Sequence, residues 1–193
     1  FNAITDEMVD FCKRYDLFLI EDCCEAQGAT YKGDRVGVYG DVSNFSFYFG
    51  HHITTIEGGM VCTNDEELYE QALLFRSHGM TRGVSNRIED HYEKKYPDLN
   101  PLFTFAVPGY NMRNHELNAV LGLEQIKRLD YNCGKRRENF ARWIMMLDSK
   151  KFYTDFHQNG NSNFALPLIL RKKDLELFEK CCILLDEQKV EYR

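Results

Sequence analysis

Two adjacent histidines, His51 and His52, follow a short aromatic stretch of the chain. An imidazole can accept and donate a proton near neutral pH, because its unperturbed pKa is about 6.5. An acidic turn, residues 20–29, lies upstream and carries the carboxylates of Asp22 and Glu25. A single histidine is often structural or solvent-exposed, and His52 fits that interpretation. His51 is the candidate catalytic residue, and its chemistry would be proton transfer.

Asp22 and Ser46 each stand near the end of a predicted strand. Asp22 follows the continuous apolar run Leu17–Ile20. Open α/β sheets place ligand-binding groups beyond the carboxyl ends of their strands, so both residues are candidates for binding. Each also has a simpler interpretation, because turn acids cap neighbouring backbone groups and serine is common at strand ends.

The elements around these residues are typical of an α/β protein. Apolar residues at helical spacing predict a helix over Thr5–Arg14, which leads into the short buried strand Leu17–Ile20. Further strands are predicted over Val42–Tyr48 and Gly59–Thr63, and a helix over Asp65–His78. A helix that leads into a short, fully apolar strand predicts a parallel-rich sheet.

The second half of the chain is predicted to be mainly helical. Residues 80–110 are polar, aromatic and without a clear period, which favours a functional lid or insertion. Helices are predicted over 114–128 and 131–148, followed by a strand over Phe164–Leu170 and a helix over Lys173–Gln188. The composition changes around residue 130. We therefore expect residues 1–130 and 131–193 to belong to different domains.

Composition excludes some functional classes. The 193 residues carry a formal net charge of −6, with 44% hydrophobic and 28% charged residues, so the chain has no basic surface for nucleic acid. No apolar run approaches the roughly 20 residues that cross a bilayer. The seven cysteines form neither a disulfide framework nor a zinc-binding pattern. We expect a soluble cytoplasmic enzyme or binding protein with free thiols and no metal.

Four segments carry a resemblance to a known family. They are residues 20–29, the stretch Phe-Ser-Phe-Tyr-Phe-Gly-His-His at 45–52, residues 54–59 and Gly-Tyr-Asn-Met-Arg at 109–113. Together they resemble the DegT/StrS sugar aminotransferases, which are pyridoxal 5′-phosphate (PLP) enzymes of the aspartate aminotransferase fold, fold type I. The resemblance covers nearly the whole chain and implies a middle portion of such an enzyme. Residues 1–130 would then belong to the large PLP-binding α/β domain, and 131–193 would begin the smaller C-terminal α+β domain.

The resemblance also implies roles for the cofactor-binding residues. Asp22 takes the place of the carboxylate that keeps the pyridine nitrogen protonated. Ser46 matches the serine that binds the cofactor phosphate. Glu25 stands where most family members have a glutamine that reaches the 3′-oxygen. Asn111 matches a residue that reaches across a homodimer interface into the neighbouring subunit's site.

Two further residues are implied to contact substrate. Arg113 is a candidate to bind a carboxylate or a phosphate through its planar guanidinium. Phe103, with Phe105 and Tyr110, could form a wall near His51, although burial in an ordinary core is the preferred interpretation for these aromatics. The chain departs from the family's Gly-Glu-Gly-Gly stretch at Ile56, where the family has glycine for backbone geometry.

His51 stands where the family has its PLP-linking lysine, five residues after Ser46. Imidazole cannot form the covalent Schiff base, so the chemistry must differ. Within the family, lysine-to-histidine exchange marks the sugar 3-dehydratases. The resemblance therefore implies pyridoxamine 5′-phosphate (PMP) as the working cofactor, regenerated by L-glutamate.

The expected reaction is removal of the C3 hydroxyl from a nucleotide 4-keto-6-deoxy sugar. GDP-4-keto-6-deoxy-D-mannose is the expected substrate, as in biosynthesis of colitose for the lipopolysaccharide O-antigen. Two alternatives stay open, an ordinary sugar aminotransferase and a catalytically silent homologue that binds a ligand or a partner. An aminotransferase needs a lysine near residue 51, and the nearest downstream is Lys94.

Overall fold

The computed structural model describes residues 3–193. In chain order, these residues form α1 (Asp6–Arg14), β1 (Ile20–Asp22), β2 (Thr30–Tyr31), β3 (Asp34–Arg35), β4 (Val42–Ser46), β5 (Gly59–Thr63), α2 (Glu66–Arg76), α3 (Asn86–Lys95), a 3-10 turn (Pro101–Phe103), α4 (Glu116–Ile126), α5 (Leu129–Met146) and α6 (Leu175–Glu187).

The main sheet of the described residues has three strands in the order β1–β4–β5. β1 and β4 are parallel, with Asp22 opposite Asn44, whereas β4 and β5 are antiparallel, with Ser46 opposite Gly59. β2 and β3 form a separate hairpin. The predicted α/β class is confirmed, but the sheet is mixed rather than parallel-rich. The first strand also begins later than predicted. The backbone N–H of Leu19 donates to the carboxylate of Asp41, and the carbonyl of Leu19 accepts from the backbone N–H of Asp41.

Several helices begin at a side chain that caps their free backbone N–H groups. Thr5, Asp65, Ser85 and Asp174 each accept a hydrogen bond from the backbone N–H three residues later. Such caps satisfy donors that have no partner inside the helix. They explain why the predicted starts of α1, α2 and α6 lie within one or two residues of the observed ones.

The prediction of an irregular segment over 80–110 is wrong in part, because these residues contain α3 and the 3-10 turn. α3 was missed because its sequence is strongly polar, with Ile88 and Tyr92 as its main apolar side chains. Tertiary contacts hold it instead. The carboxylate of Glu70, only 1% exposed, accepts hydrogen bonds from Ser85 and Arg87 at the start of α3. A buried carboxylate needs such partners, so this pair fixes the start of α3 against α2.

The strand predicted over Phe164–Leu170 is also wrong. Only Leu170 pairs with another strand-like residue, forming an isolated bridge with Phe152. The backbone turns before the segment, because Asn163 has a φ of 50°, and Pro167 cannot donate to a strand ladder. The segment packs along α5 instead, where Trp143 donates from Nε1 to the carbonyl of Pro167.

A buried glutamate organises the loop below the sheet. Glu21, 4% exposed in the middle of β1, accepts hydrogen bonds from the backbone N–H groups of Gly37, Tyr39 and Gly40 at 2.6–2.7 Å. Charged side chains are rarely buried without partners, and here three donors satisfy the carboxylate. The loop that leads into β4 is thereby fixed to β1, which sets the position of the neighbouring Asp22.

Candidate active site

Asp22 and Ser46 leave the sheet at the same edge. β1 ends at Asp22 and β4 ends at Ser46, and the two strands are parallel neighbours. The carboxyl ends of parallel strands lie side by side, as the sequence predicted for a binding site. A cavity of about 510 Å³ is lined by Asp22 and Glu25, together with residues 161–165 and other residues of β1.

The carboxylate of Asp22 is held by two donors. Its Oδ1 accepts from the backbone N–H of Cys24 at 3.1 Å and from Nδ2 of Asn44 at 3.0 Å. Hydrogen bonds with Cys24, more than any other contact, hold the pKa of Asp22 below its usual value, and Asn44 and His51 act in the same direction. Asp22 is therefore an anion at neutral pH. Sequence analysis missed Asn44, whose contact depends on the register between β1 and β4.

Ser46 is bound to the acidic turn through its backbone. Gln27, 5% exposed, donates from Nε2 to the carbonyl of Ser46 at 2.5 Å. The hydroxyl oxygen of Ser46 accepts from the backbone N–H of Tyr48 at 3.2 Å, which leaves the hydroxyl proton to donate elsewhere. The other amide atom of Gln27, Oε1, is buried and has no partner among residues 3–193.

His51 lies between two aromatic rings and beside a carboxylate. Its Nε2 is 3.7 Å from Oε1 of Glu25, and its side chain is 17% exposed. The rings of Tyr48 and Phe164 meet it edge-to-face, with centroids at 5.4 and 5.6 Å. Within the described part of the chain, its Nδ1 is buried and makes no hydrogen bond. Glu25 thus lies beside His51, while Asp22 and Ser46 end the neighbouring strands β1 and β4.

His52 is buried rather than exposed. It is 5% exposed, and its Nε2 lies 3.2 Å from the carbonyl oxygen of Ser162. A carbonyl only accepts, so Nε2 carries the proton and donates. Burial, aided by the nearby charges of Arg136 and His51, lowers the pKa of His52, which is therefore neutral at neutral pH. Sequence analysis missed this contact because Ser162 lies 110 residues away in the chain.

The segment that carries Asn111 and Arg113 lies along the end of α2. Asn111 pairs with Ser77 in an isolated antiparallel bridge, and Arg113 donates from Nε to the hydroxyl of Ser77 at 2.8 Å. Asn111 is exposed. Both predicted residues thus contact Ser77, and neither is hydrogen-bonded to His51 in the described residues.

The predicted aromatic cluster is exposed rather than buried. Phe103 is 63% exposed, with the guanidinium of Arg82 6.0 Å from its ring centre, and Phe105 and Tyr110 are 53% and 64% exposed. Their interpretation as buried core is wrong for this chain. An aromatic ring from a distant part of the sequence does contact His51, but it belongs to Phe164, which the sequence pattern placed in a strand.

The described residues show neither a metal cluster nor a membrane-spanning helix. Among residues 3–193, no three histidine, cysteine or acidic side chains lie together as ligands for a metal ion. Over the same residues, none of the helices combines the length and the apolar character that crossing a membrane requires.

The family follows from comparison with known proteins. A model of the DegT/DnrJ/EryC1/StrS aminotransferase family matches residues 3–193. The chain belongs to this family. The resemblance seen in the four sequence segments is confirmed, and so is the α/β aminotransferase fold.

Relatives in this family differ in activity. GDP-4-keto-6-deoxy-D-mannose 3-dehydratase of Yersinia pseudotuberculosis is 36% identical over 168 residues, which cover 86% of this chain and 43% of that protein. GDP-perosamine synthase of Escherichia coli O157:H7 is 38% identical over 133 residues, 69% of this chain and 32% of that protein. The chain therefore spans less than half the length of these relatives.

Solved structures of family members agree with the fold. The GDP-4-keto-6-deoxy-D-mannose 3-dehydratase of E. coli, determined with bound hydrated PLP, matches with a TM-score of 0.80 and 30% identity, over 97% of this chain and 49% of that one. A structure of this dehydratase with a trapped PLP–glutamate adduct matches with a TM-score of 0.81 and 30% identity, again over 97% and 49%.

The residues at the sheet edge fit a family cofactor. Asp22 offers an anion for a protonated pyridine nitrogen, and Ser46 offers a hydroxyl donor for a phosphate. Among the described residues, Nδ1 of His51 and Oε1 of Gln27 are buried without partners. Buried polar atoms are nearly always hydrogen-bonded, so unpartnered atoms at this edge suit a site that a polar ligand completes.

Proposed function

We propose that the full protein removes the C3 hydroxyl from a nucleotide-linked 4-keto-6-deoxy sugar, with GDP-4-keto-6-deoxy-D-mannose as the first candidate substrate. PMP would be the working cofactor, bound without a covalent link and regenerated from PLP by L-glutamate. The observation that supports this most strongly is His51, a base in the position of the family's lysine, beside the anionic Asp22. The similarity to the Yersinia and E. coli 3-dehydratases agrees with it.

Asp22 and Ser46 would hold the cofactor. Asp22, kept anionic by its hydrogen bonds with Cys24 and Asn44, would pair with the pyridine N–H. Ser46 would donate its free hydroxyl proton to the phosphate. When bound, PMP supplies an amine that reacts with the sugar 4-ketone and a ring that holds electrons while the C3–O bond breaks.

His51 would move the protons. The carboxylate of Glu25 lies 3.7 Å from Nε2, and neither ring nitrogen makes a hydrogen bond within the described residues. The basic nitrogen of the imidazole would take a proton from the cofactor carbon next to the amine and return it to the departing C3 hydroxyl. One imidazole can serve both steps because its unperturbed pKa lies near working pH.

The arrangement also supports a homodimer with shared sites. Asn111 and Arg113 contact Ser77 rather than His51, on a segment where Tyr110 and Met112 are 64% and 61% exposed. In this proposal Asn111 completes the cofactor site of the neighbouring subunit, and Arg113 and Phe103 contact its substrate. The protein would work in the cytoplasm, in synthesis of colitose for the lipopolysaccharide. Residues 1–130 would form part of the large domain and residues 131–193 the start of the smaller one.

One assay separates this function from its alternatives. Full-length protein is incubated with PMP, glutamate and GDP-4-keto-6-deoxy-D-mannose, and ammonia and sugar products are measured by enzyme-coupled assay and mass spectrometry. The dehydratase yields ammonia and a 4-keto-3,6-dideoxy sugar. An aminotransferase, which the likeness to GDP-perosamine synthase favours, would yield an amino sugar without ammonia. A silent homologue would yield neither product.

The matched control is His51→Asn, which keeps a polar side chain but cannot act as a base. Its turnover should fall by about 100-fold or more, the usual scale of general acid–base catalysis. Its affinity for PLP should stay within a few-fold, since Asp22 and Ser46 remain. Normal turnover by His51→Asn would contradict the proposal.

A further inference from the structure

A short segment, residues 160–164, crosses from the C-terminal part of the chain to the histidine pair. Residues 161–163 are buried. Gly160 begins the segment with a φ of +76°, and its carbonyl accepts from the backbone N–H of Thr30 at 2.7 Å. A Cβ at Gly160 would lie 1.9 Å from the carbonyl oxygen of Thr30, so only glycine permits this approach.

Phe164 ends the segment against both histidines. Its ring meets His51 edge-to-face, at an interplanar angle of 86°, and lies 5.8 Å from the ring of His52. Arg136 of α5 donates from Nη1 to the carbonyl of Phe164 at 3.0 Å and lies 6.0 Å from the centre of its ring. Together with the bond from His52 to Ser162, these contacts fix Phe164 beside the candidate base.

Hydrogen bonds do not orient the ring of His51 in the described residues. Nδ1 has no partner, and the 3.7 Å between Nε2 and Glu25 exceeds a hydrogen-bond distance. A base in an active site is normally oriented by a third group. For His51 that orientation comes from two edge-to-face rings. Tyr48 lies close to His51 in the sequence and is 40% exposed, whereas Phe164 is held by the hydrogen bond from Arg136 of α5.

We propose that Phe164 is a positioning residue for His51, holding the imidazole in one orientation through their edge-to-face contact. The catalytic significance of this role rests on the proposed function, but the orientation itself does not. The aromatic quadrupole favours the perpendicular arrangement, so the ring edge opposes rotation of the imidazole. The segment 160–164 would thus couple the C-terminal part of the chain to the proton-transfer step.

The test uses full-length protein and two readouts. Without cofactor, the rate at which diethyl pyrocarbonate modifies His51 is followed by tandem mass spectrometry, which separates His51 from His52. With cofactor and sugar substrate, kcat and KM are measured. The variants are Phe164→Leu, which removes the ring, and Phe164→Tyr, which keeps it. Phe156→Leu is the control, because Phe156 contacts Phe140 and Tyr153.

Phe164→Leu should increase the modification rate of His51 several-fold and lower kcat by about 10- to 100-fold, the scale expected for a misplaced catalytic group, with little change in KM. Phe164→Tyr should restore both values, and Phe156→Leu should leave the modification rate unchanged. If diethyl pyrocarbonate modifies His51 of the Phe164→Leu variant at the wild-type rate, the proposal is overturned, even if kcat falls.

Two further outcomes are decided in advance. If wild-type protein shows no dehydratase activity, the modification rates still test the positioning role, and only the proposed function fails. If Phe164→Leu does not fold, Arg136→Gln replaces it, because it removes the donor to the Phe164 carbonyl while keeping the ring. That variant must also increase modification of His51, and an unchanged rate overturns the proposal.

Discussion

The carboxylate of Glu25 lies 3.7 Å from Nε2 of His51, which makes it the nearest anion to the candidate base. The family resemblance assigned Glu25 to the cofactor's 3′-oxygen, whereas the structure pairs it with the imidazole. The side chain of Glu25 is 52% exposed, so water weakens the pairing. An exposed carboxylate at this distance contributes little to the energy of the contact.

We predict that Glu25→Gln lowers kcat by only about 2- to 5-fold, because an exposed carboxylate at this distance contributes little free energy. The measurement is steady-state turnover of the sugar substrate, with PLP affinity determined in parallel. Glu25→Asp is the control, since it keeps the charge. A fall of two orders of magnitude, or loss of cofactor affinity, would show that Glu25 acts directly on the cofactor as the resemblance implies.

Ile56 has a φ of 74°, in the left-handed region that favours glycine. A β-branched side chain in this left-handed region is strained. Since Ile56 is 63% exposed, its side chain buries little apolar surface. Ile56→Gly should therefore increase the free energy of unfolding by about 0.5–1 kcal/mol. Denaturant unfolding measures this free energy. Ile56→Ala, which keeps a Cβ, should show a smaller increase in stability. A less stable glycine variant would show that the strain is absent.

The buried His52 predicts a dependence of stability on pH. Burial lowers its pKa in the folded protein from the usual 6.5. As the pH falls below about 6.5, the unfolded chain binds a proton that the folded protein resists, so the free energy of unfolding decreases until the pH reaches the folded pKa. This contribution is fully present above about pH 6.5.

Unfolding measured between about pH 8 and about pH 5.5 should therefore show a shallower pH dependence for His52→Gln than for the wild type. The glutamine can still donate to the carbonyl of Ser162 but does not titrate. His91→Gln is the control, because His91 is exposed. If the free energy of unfolding depends equally on pH in the wild type and in His52→Gln, the pKa of His52 is the same in the folded and the unfolded protein.

The placement of Asn111 predicts complementation between subunits. An inactive His51→Asn chain and an inactive Asn111→Ala chain should recover activity when mixed, because one site of the mixed dimer would have both contributions intact. Subunit exchange is verified with differently tagged chains. Exchange without recovered activity would mean that each site is built from one chain, and the homodimer proposal for Asn111 would be withdrawn.

Local order in the sequence located the strand ends at the candidate site. Asp22 and Ser46 end parallel neighbouring strands, and His51 follows Ser46 by five residues. Helix starts were predicted closely for the same reason, since a cap such as Asp65 lies within the turn that it stabilises.

Contacts between distant parts of the chain were not predictable from pattern. Phe164 lies 113 positions after His51 in the sequence. Its segment was predicted to be a strand, but it packs along α5, where Arg136 donates to the carbonyl of Phe164. α3 was missed because a buried carboxylate on α2, rather than an apolar face, holds its start. Asn44 was missed because its contact with Asp22 depends on strand register. In each case tertiary contacts decide the structure where local propensity is weak.

The central claim is that His51 replaces the lysine that binds the cofactor covalently. Full-length protein is loaded with PLP, treated with borohydride and analysed by intact mass, with His51→Lys beside it. We predict no covalent PLP on the wild type and one PLP on His51→Lys, whose dehydratase turnover should collapse. Borohydride-fixed PLP on any lysine of the active wild-type protein would contradict the account.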